Sequence, residues 1–451
     1  MIEKCDLFRP QLCHECKFSF LRDDSRPVMQ IKSASPLSRR VARLFLVLIG
    51  LLLLLAAIRL RIVFPHLVGE SALDLTSRAI AVHQWFSGHG LYGVHSSTYP
   101  PASHVILWPV LGWLPLERVG WMWAFLSIVS LGWLVRWCFC HANLPFATQR
   151  WLLAAWLLAM TATSMALWLG QSIPLLLALL TLAVLLIHNY GAKAGWKREI
   201  AAVFLMTVAL VKPSVSLPFL WLFLWPPARP RVGIGVVLAY AALTVAALRF
   251  QNNGLQEMMG WAETVNRNNA GLSEGYANLR VWLAAVGLKS WSHPAALATF
   301  LWLGAWTYRY RGSDLWLRLG VTGVVARLWT YHNSYDDMLL LLPLLALLQI
   351  AGRNYSSIET SDDFAAPVRA APVRADFRSE AMQAQWLLTV LALLLLLHAE
   401  WLFSPTLWGQ AARTLSGLTM VFVLAFLLRH AKRHNAAGDR WSLNFLVSRT
   451  Q

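Results

Sequence analysis

Charge is what this sequence has least of. Asp, Glu, Lys and Arg together make up 14% of its 451 residues, where soluble globular chains carry about 25%, so an ordinary water-soluble enzyme is excluded. Acids are scarcer still: 22 stand against 39 Lys and Arg, a formal net charge of +17. That excess does not call for nucleic acid. The cations fall at the ends of apolar runs and in the tails, the pattern of positive-inside topology with contact to anionic membrane lipids. Five cysteines are too few and too badly spaced for a disulfide framework. Cys5, Cys13 and Cys16, with His14 between them, match no standard zinc module. There is no Gly-rich phosphate loop and no polar stretch long enough to fold as a nucleotide domain, so the reading requires neither cofactor nor metal. Internal inverted repeats, the mark of many transporters, are also missing.

Apolar side chains are abundant instead. They make up 57% of the chain, the mean hydropathy is +0.50, and the expected class is an all-α polytopic membrane protein. The 24 Trp and 10 Tyr suit a protein with many bilayer interfaces to line. No cleavable signal is evident, because the first apolar run is long and starts well into the chain; Met29 heads a normal basic leader and is an alternative start. Arg39, Arg40 and Arg43 border the run from Val41 to Val63, so residues 1–40 are expected to be a cytoplasmic tail and the next loop to face outside. Carried along the chain, the same rule gives a transmembrane catalytic bundle over 41–351 with external loops at 64–100 and 249–278. A disordered cytoplasmic linker over 352–385, a hairpin over 386–428 and a basic cytoplasmic tail over 429–451 follow. The expected count is about 10–13 spans. Ala102 to Leu114 is short for a crossing and is expected to re-enter the same face.

The stretch from Gly69 to Pro115 organises the rest. Asp74 follows the first span, and Ala79, Val82, Trp85 and Phe86 recur at helical spacing, as in a helix lying flat at the interface. Ser87-Gly88-His89-Gly90 should stop that helix, and Tyr99-Pro100-Pro101 should open a new one. With this topology Asp74, Tyr99, Gln171, Lys212, His332, Asp336 and Asp337 fall on one external side. Short polar turns must lie on one face or the other, so part of that convergence would arise in any bundle. Asp74 is the best-placed general base for a hydroxyl delivered from the membrane. Lys212 is placed to neutralise a phosphate leaving group. Arg78, one turn after Asp74, either does the same or pairs with that acid. Gln171 and Tyr99 read as structural, His332 as either, and Asp337 as solvated.

An Asp followed by an interfacial helix, then Gly88-x-x-Leu91-Tyr92, Tyr99-Pro100-Pro101 and Leu114-Pro115, resembles the first external loop of the GT-C membrane glycosyltransferases. More narrowly it resembles glycosyltransferase family 87, the group that includes polyprenyl-phosphate-mannose-dependent mannosyltransferases. Leu169-Gly170-Gln171, Val211-Lys212-Pro213 and Tyr335-Asp336-x-x-Leu339-Leu340 follow in the order of that family's later blocks, so the resemblance covers roughly Val41 to Leu348. It implies a GT-C-type helical bundle with an external interfacial-helix loop in the plasma (inner) membrane. It implies a polyprenyl-phosphate-linked sugar donor, a lipid or glycan acceptor, transfer of a hexose such as mannose, and inversion at the anomeric carbon. In those terms Asp74 is the base, Lys212 with Tyr99, Gln171 and Arg78 shapes the donor pocket, and Asp336 or His332 assists the acceptor. Two positions depart from the family pattern: Arg78 stands where an aromatic or small residue is common, and Ser172 follows Gly170-Gln171. The rival readings are a transporter or lipid flippase and a non-catalytic polyprenyl-phosphate-binding scaffold, since fold does not fix function.

Overall fold

A computed structural model describes residues 36–436, apart from 70–71, 93–96, 143, 145–146, 189–194, 226–229, 272–277, 331, 360–370 and 397–406. The amino-terminal cysteines and the basic tail from residue 437 lie outside the described residues. The described residues form no strands, and helices account for nearly all of the ordered backbone. The chain is an all-α polytopic membrane protein: among the described residues six helices are long and apolar enough to cross a bilayer, or seven if one bent pair counts as a single span.

The bundle begins with α1 (Pro36–Val68), which packs along α4 (Leu116–His141) and the bent pair α5 (Ala147–Ala159) and α6 (Thr161–Trp168). The pair bends by 42° at Met160. A break inside a span leaves carbonyls that lipid cannot satisfy, and the chain supplies donors from elsewhere. Arg59 of α1 donates to the Ala159 carbonyl and reaches the Leu396 carbonyl at 3.5 Å. The bent pair in turn donates to the helix ending at Leu396: Thr161 to the Leu396 carbonyl at 3.0 Å, and Trp156 Nε1 to the Ala392 carbonyl at 3.1 Å. Next come α7 (Ile173–His188) and α8 (Trp196–Ala209), packed on each other, the short α9 (Pro213–Ser216) and α10 (Trp221–Leu224), and α11 (Pro230–Leu248). Several of these are shorter than the roughly 20 residues a crossing needs. Helices thus occupy the apolar segments read from sequence, while fewer satisfy length and composition alone than the 10–13 counted there; bends and short helices account for the difference.

Two helices frame the site. In α2 (Leu73–Phe86), Leu75, Ala79, Ala81, Val82 and Trp85 are buried, while Leu73 and Ile80 face outward. The apolar stripe expected to rest in the interface is therefore largely covered by protein. Trp85 Nε1 donates to the Ala247 carbonyl at 3.1 Å, and Gln251 Nε2 to the Trp85 carbonyl at 2.6 Å, which clamps α2 beneath the end of α11. Full burial of Leu75 or Val82 contributes about 1.5–3 kcal/mol each. The helix stops at Ser87, with Gly88 at φ 75°, a conformation glycine adopts without steric cost. The second framing helix, α3 (Pro101–Leu111), starts with Pro at its first position, where the missing N–H costs nothing. Eleven residues rise about 16 Å, roughly half the hydrocarbon thickness.

Within the expected external loop 249–278 lies α12 (Gly254–Gly271), and α13 (Leu279–Ala285) follows with the Asn278 side chain capping its start. α14 (Ser292–Arg309) and α15 (Leu315–Leu328) lead to a 3-10 turn, Ser334–Leu340, and α16 (Leu341–Glu359). Of the segment expected as a disordered linker, residues to Glu359 continue α16 and residues from Ala371 belong to α17 (Ala371–Leu396); 360–370 are outside the described residues. α18 (Leu407–Ala436) completes the hairpin with α17.

Candidate active site

Two networks collect seven of the eight residues singled out from the sequence, and Asp337 lies outside both. The first is built on α2. Asp74, half-buried in its first turn, accepts a hydrogen bond from Gln171 Nε2, and Gln171 Oε1 accepts from Arg78. Arg78 also donates to the Gly170 carbonyl at 3.1 Å and lies 5.0 Å from the centre of the Tyr99 ring. The amide of Gln171 has only one sensible orientation, because a guanidinium can only donate and an ionised carboxylate can only accept. Arg78 and Asp74 stand four residues apart in the order that favours a direct ion pair, yet among the described residues none joins them; the link runs through Gln171. Only one Asp74 oxygen is hydrogen-bonded among the described residues.

The position of Gln171 depends on Gly170. That residue has φ 65°, and a Cβ there would lie 2.5 Å from Leu75 Cβ and 3.5 Å from Ala72 Cβ. The turn after α6 therefore sits directly against the first turn of α2, and glycine alone fits at that approach.

The second network is built on the Ser334–Leu340 turn. Asp336, 1% exposed, accepts from Lys212 Nζ at 2.8 and 3.0 Å, from His332 Nδ1 at 3.0 Å and from the Asn333 amide at 3.3 Å. His332 is fully buried, with Nε2 3.2 Å from the Thr330 hydroxyl. Its burial holds the imidazole below the usual histidine range, against the opposite pull of Asp336. A buried charge is tolerated only when paired and hydrogen-bonded, and Asp336 meets both conditions. The Lys212 ammonium also lies 4.7 Å from the centre of the Tyr335 ring. Asp337, expected to be solvated, pairs instead with Arg327; the arginine is 3% exposed, and a cation so buried requires an acid.

Tyr335 joins the two networks and was not singled out from the sequence, although it begins the Tyr335-Asp336 block. It is close enough to Asp74, Tyr99 and Asp336 to feel their charges, and its hydroxyl accepts from Asn333 Nδ2 at 2.7 Å. Nothing in the sequence pointed to the third layer of support. Glu257 of α12 accepts from the amides of Leu91 and Tyr92 at 3.1 and 3.3 Å, and Trp261 Nε1 donates to the Thr98 carbonyl at 3.1 Å. The Tyr92 hydroxyl in turn donates to the Tyr99 carbonyl and lies 3.2 Å from His104 Nε2. Burial and the Glu257 carboxylate push the Tyr92 phenol well above its ordinary range, and burial pulls His104 down to about 3. Ser103, beside His104, donates to the Val211 carbonyl at 2.7 Å, tying α3 to the residue before Lys212. Among the described residues no group of His, Cys, Asp or Glu could hold a metal ion.

The model of glycosyltransferase family 87 matches residues 98–351, more than half of the chain. Tyr99, Gln171, Lys212, His332 and Asp336 lie inside the matched range, whereas Asp74 and Arg78 precede it. No curated protein and no solved structure matches the chain.

Proposed function

Because the chain belongs to glycosyltransferase family 87, we propose that it is an inverting hexosyltransferase that takes one sugar from a polyprenyl-phosphate donor at the external face of the plasma membrane. The acceptor is a lipid or a glycan, and mannose is the sugar to test first. The acceptor hydroxyl oxygen attacks the anomeric carbon, the bond from that carbon to the phosphate oxygen breaks, and the proton passes to Asp74. Polyprenyl phosphate departs with the electron pair. A single displacement of this kind inverts the configuration.

The observation that carries the reading is the arrangement of Asp74: one carboxylate oxygen is held by Gln171 and the other is unengaged among the described residues, with Arg78 against the Tyr99 ring and Lys212 against the Tyr335 ring. An oriented base contributes about 10²–10⁴ in rate. Cations held in a partly dry site favour developing phosphate charge far more than they would in water. Asp336 and His332 then act indirectly, by fixing where the Lys212 ammonium points.

The test compares purified wild type with Asp74→Asn in liposomes, following labelled sugar from polyprenyl-phosphate-mannose and polyprenyl-phosphate-glucose into acceptor. Transfer by the wild type, lost at least about 100-fold in the folded variant, is the expected result. Transfer that survives the substitution removes Asp74 from the role of base.

A further inference from the structure

A cavity of about 450 Å³ opens between the loop after α2 and the first turns of α12. Its polar wall is made by Tyr92, Asn253, Gln256, Glu257 and Glu263. We propose that this cavity is the acceptor subsite, and that it takes the neutral, hydroxyl-rich head of a saccharide. The proposal rests on the glycosyltransferase reading of the Asp74 site and narrows its acceptor from lipid or glycan to glycan.

Charge sign separates this cavity from the donor side. No Lys or Arg is among the described residues lining it, and two carboxylates in one wall repel phosphate. Arg78 and Lys212, the cations a phosphate requires, both lie in the other networks. Carboxylate and amide groups are instead suited to sugar hydroxyls, which both donate and accept. Leu255 and Met259, 73% and 68% exposed on the rim, offer apolar surface to the C–H face of a sugar ring. The volume is within the range of small-ligand sites.

Tyr92 forms part of the cavity wall, and its hydroxyl holds the backbone of Tyr99, whose ring lies against Arg78. Two glycines bring α12 this close to the loop: a Cβ at Gly260 would lie 3.1 Å from Tyr92 Cβ, and one at Gly90 would lie 2.7 Å from Glu257 Oε1. Tyr92 and Tyr99 are thus the layer between a saccharide seated here and the Asp74 network.

The experiment measures binding without donor. Full-length protein in nanodiscs is titrated with a neutral mannose trisaccharide, the same trisaccharide on a lipid, and a phosphorylated trisaccharide, using saturation-transfer NMR. Neutral saccharide should bind saturably, and Gln256→Ala or Glu263→Gln should weaken it at least about tenfold, the loss of one or two hydrogen bonds. Equal binding of the free and lipid-linked forms assigns recognition to the sugar, while tighter binding of the lipid-linked form adds the Leu255 and Met259 rim; both agree with the proposal. Absence of neutral-saccharide binding, binding indifferent to both variants, or preference for the phosphorylated form would overturn it. Release of labelled sugar from the donor to water is followed in parallel for the wild type. If the wild type binds saccharide but neither releases nor transfers sugar, the transferase reading fails while the saccharide site stands.

Discussion

Replacing Gly170 with Ala should cost far more activity than stability, and the two costs can be worked from the same contact. The residue has φ 65°, and a left-handed conformation costs an L-residue about 1–2 kcal/mol. Against the 5–15 kcal/mol that holds a typical domain together, that leaves most of the protein folded. The added Cβ would also lie 2.5 Å from Leu75 Cβ, where carbon atoms prefer about 3.5–4.0 Å. The obstacle is next to the backbone and cannot rotate away, so α2 must retreat by about 1 Å. Asp74 and Arg78 are on that helix, and a displacement of this size costs about 100-fold in rate. The assay is sugar transfer per folded protein, alongside a thermal-denaturation midpoint. Leu75→Ala should not rescue Gly170→Ala, because truncation leaves the offending Cβ in place; Leu75→Gly should restore part of the rate. Transfer within threefold of wild type by Gly170→Ala, with normal donor affinity, would refute the claim that the turn sets the position of the base.

Lys212→Met should destabilise the protein by about 3–5 kcal/mol by leaving Asp336 without its cation, and Lys212→Met with Asp336→Asn should recover much of that loss; thermal unfolding of the two variants decides it. Glu257→Ala removes the acceptor for two loop amides, so hydrogen exchange at Leu91 and Tyr92 should accelerate, and exchange at the wild-type rate would argue against the clamp. Burial lowers the affinity of His104 and His332 for protons. Below about pH 6.5, the ordinary histidine value, the unfolded chain therefore binds protons that the folded one resists, and stability falls as the pH drops, for His104 down to about 3. His104→Gln should flatten the pH dependence of the unfolding midpoint below neutrality; an unchanged slope would exclude His104 as a contributor.

Much of the local structure was legible because its signals are local. The start of α2 near Asp74, its end before Gly88 and the proline-led start of α3 follow from helix periodicity and from residues whose backbone preferences are strong. The blocks around Gln171, Lys212 and Asp336 were legible by their order along the chain. The bonds among those blocks were not. Spacing within α2 favours a direct Asp74–Arg78 pair, and only the fold could bring Gln171, 97 positions away from Asp74, in between them. The Glu257 clamp was hidden for a related reason: a polar helix in a polar loop has no periodic signature of what it will cover. Asp337 read as solvated because its partner, Arg327, lies in an apolar run whose burial the sequence does not display.

The bend between α5 and α6 also bears on the order in which the protein can be assembled. Arg59 enters the membrane with the first helix, but the carbonyls that receive its guanidinium belong to residues 100 and 337 positions later in the chain. Throughout synthesis, then, an early helix carries a charge whose last acceptor has yet to leave the ribosome. The hairpin of α17 and α18 lies beyond the range matched to the family, yet its Leu396 carbonyl also receives the Thr161 hydroxyl at the same break. A chain halted before that hairpin would lack the second of the two carbonyls that Arg59 reaches.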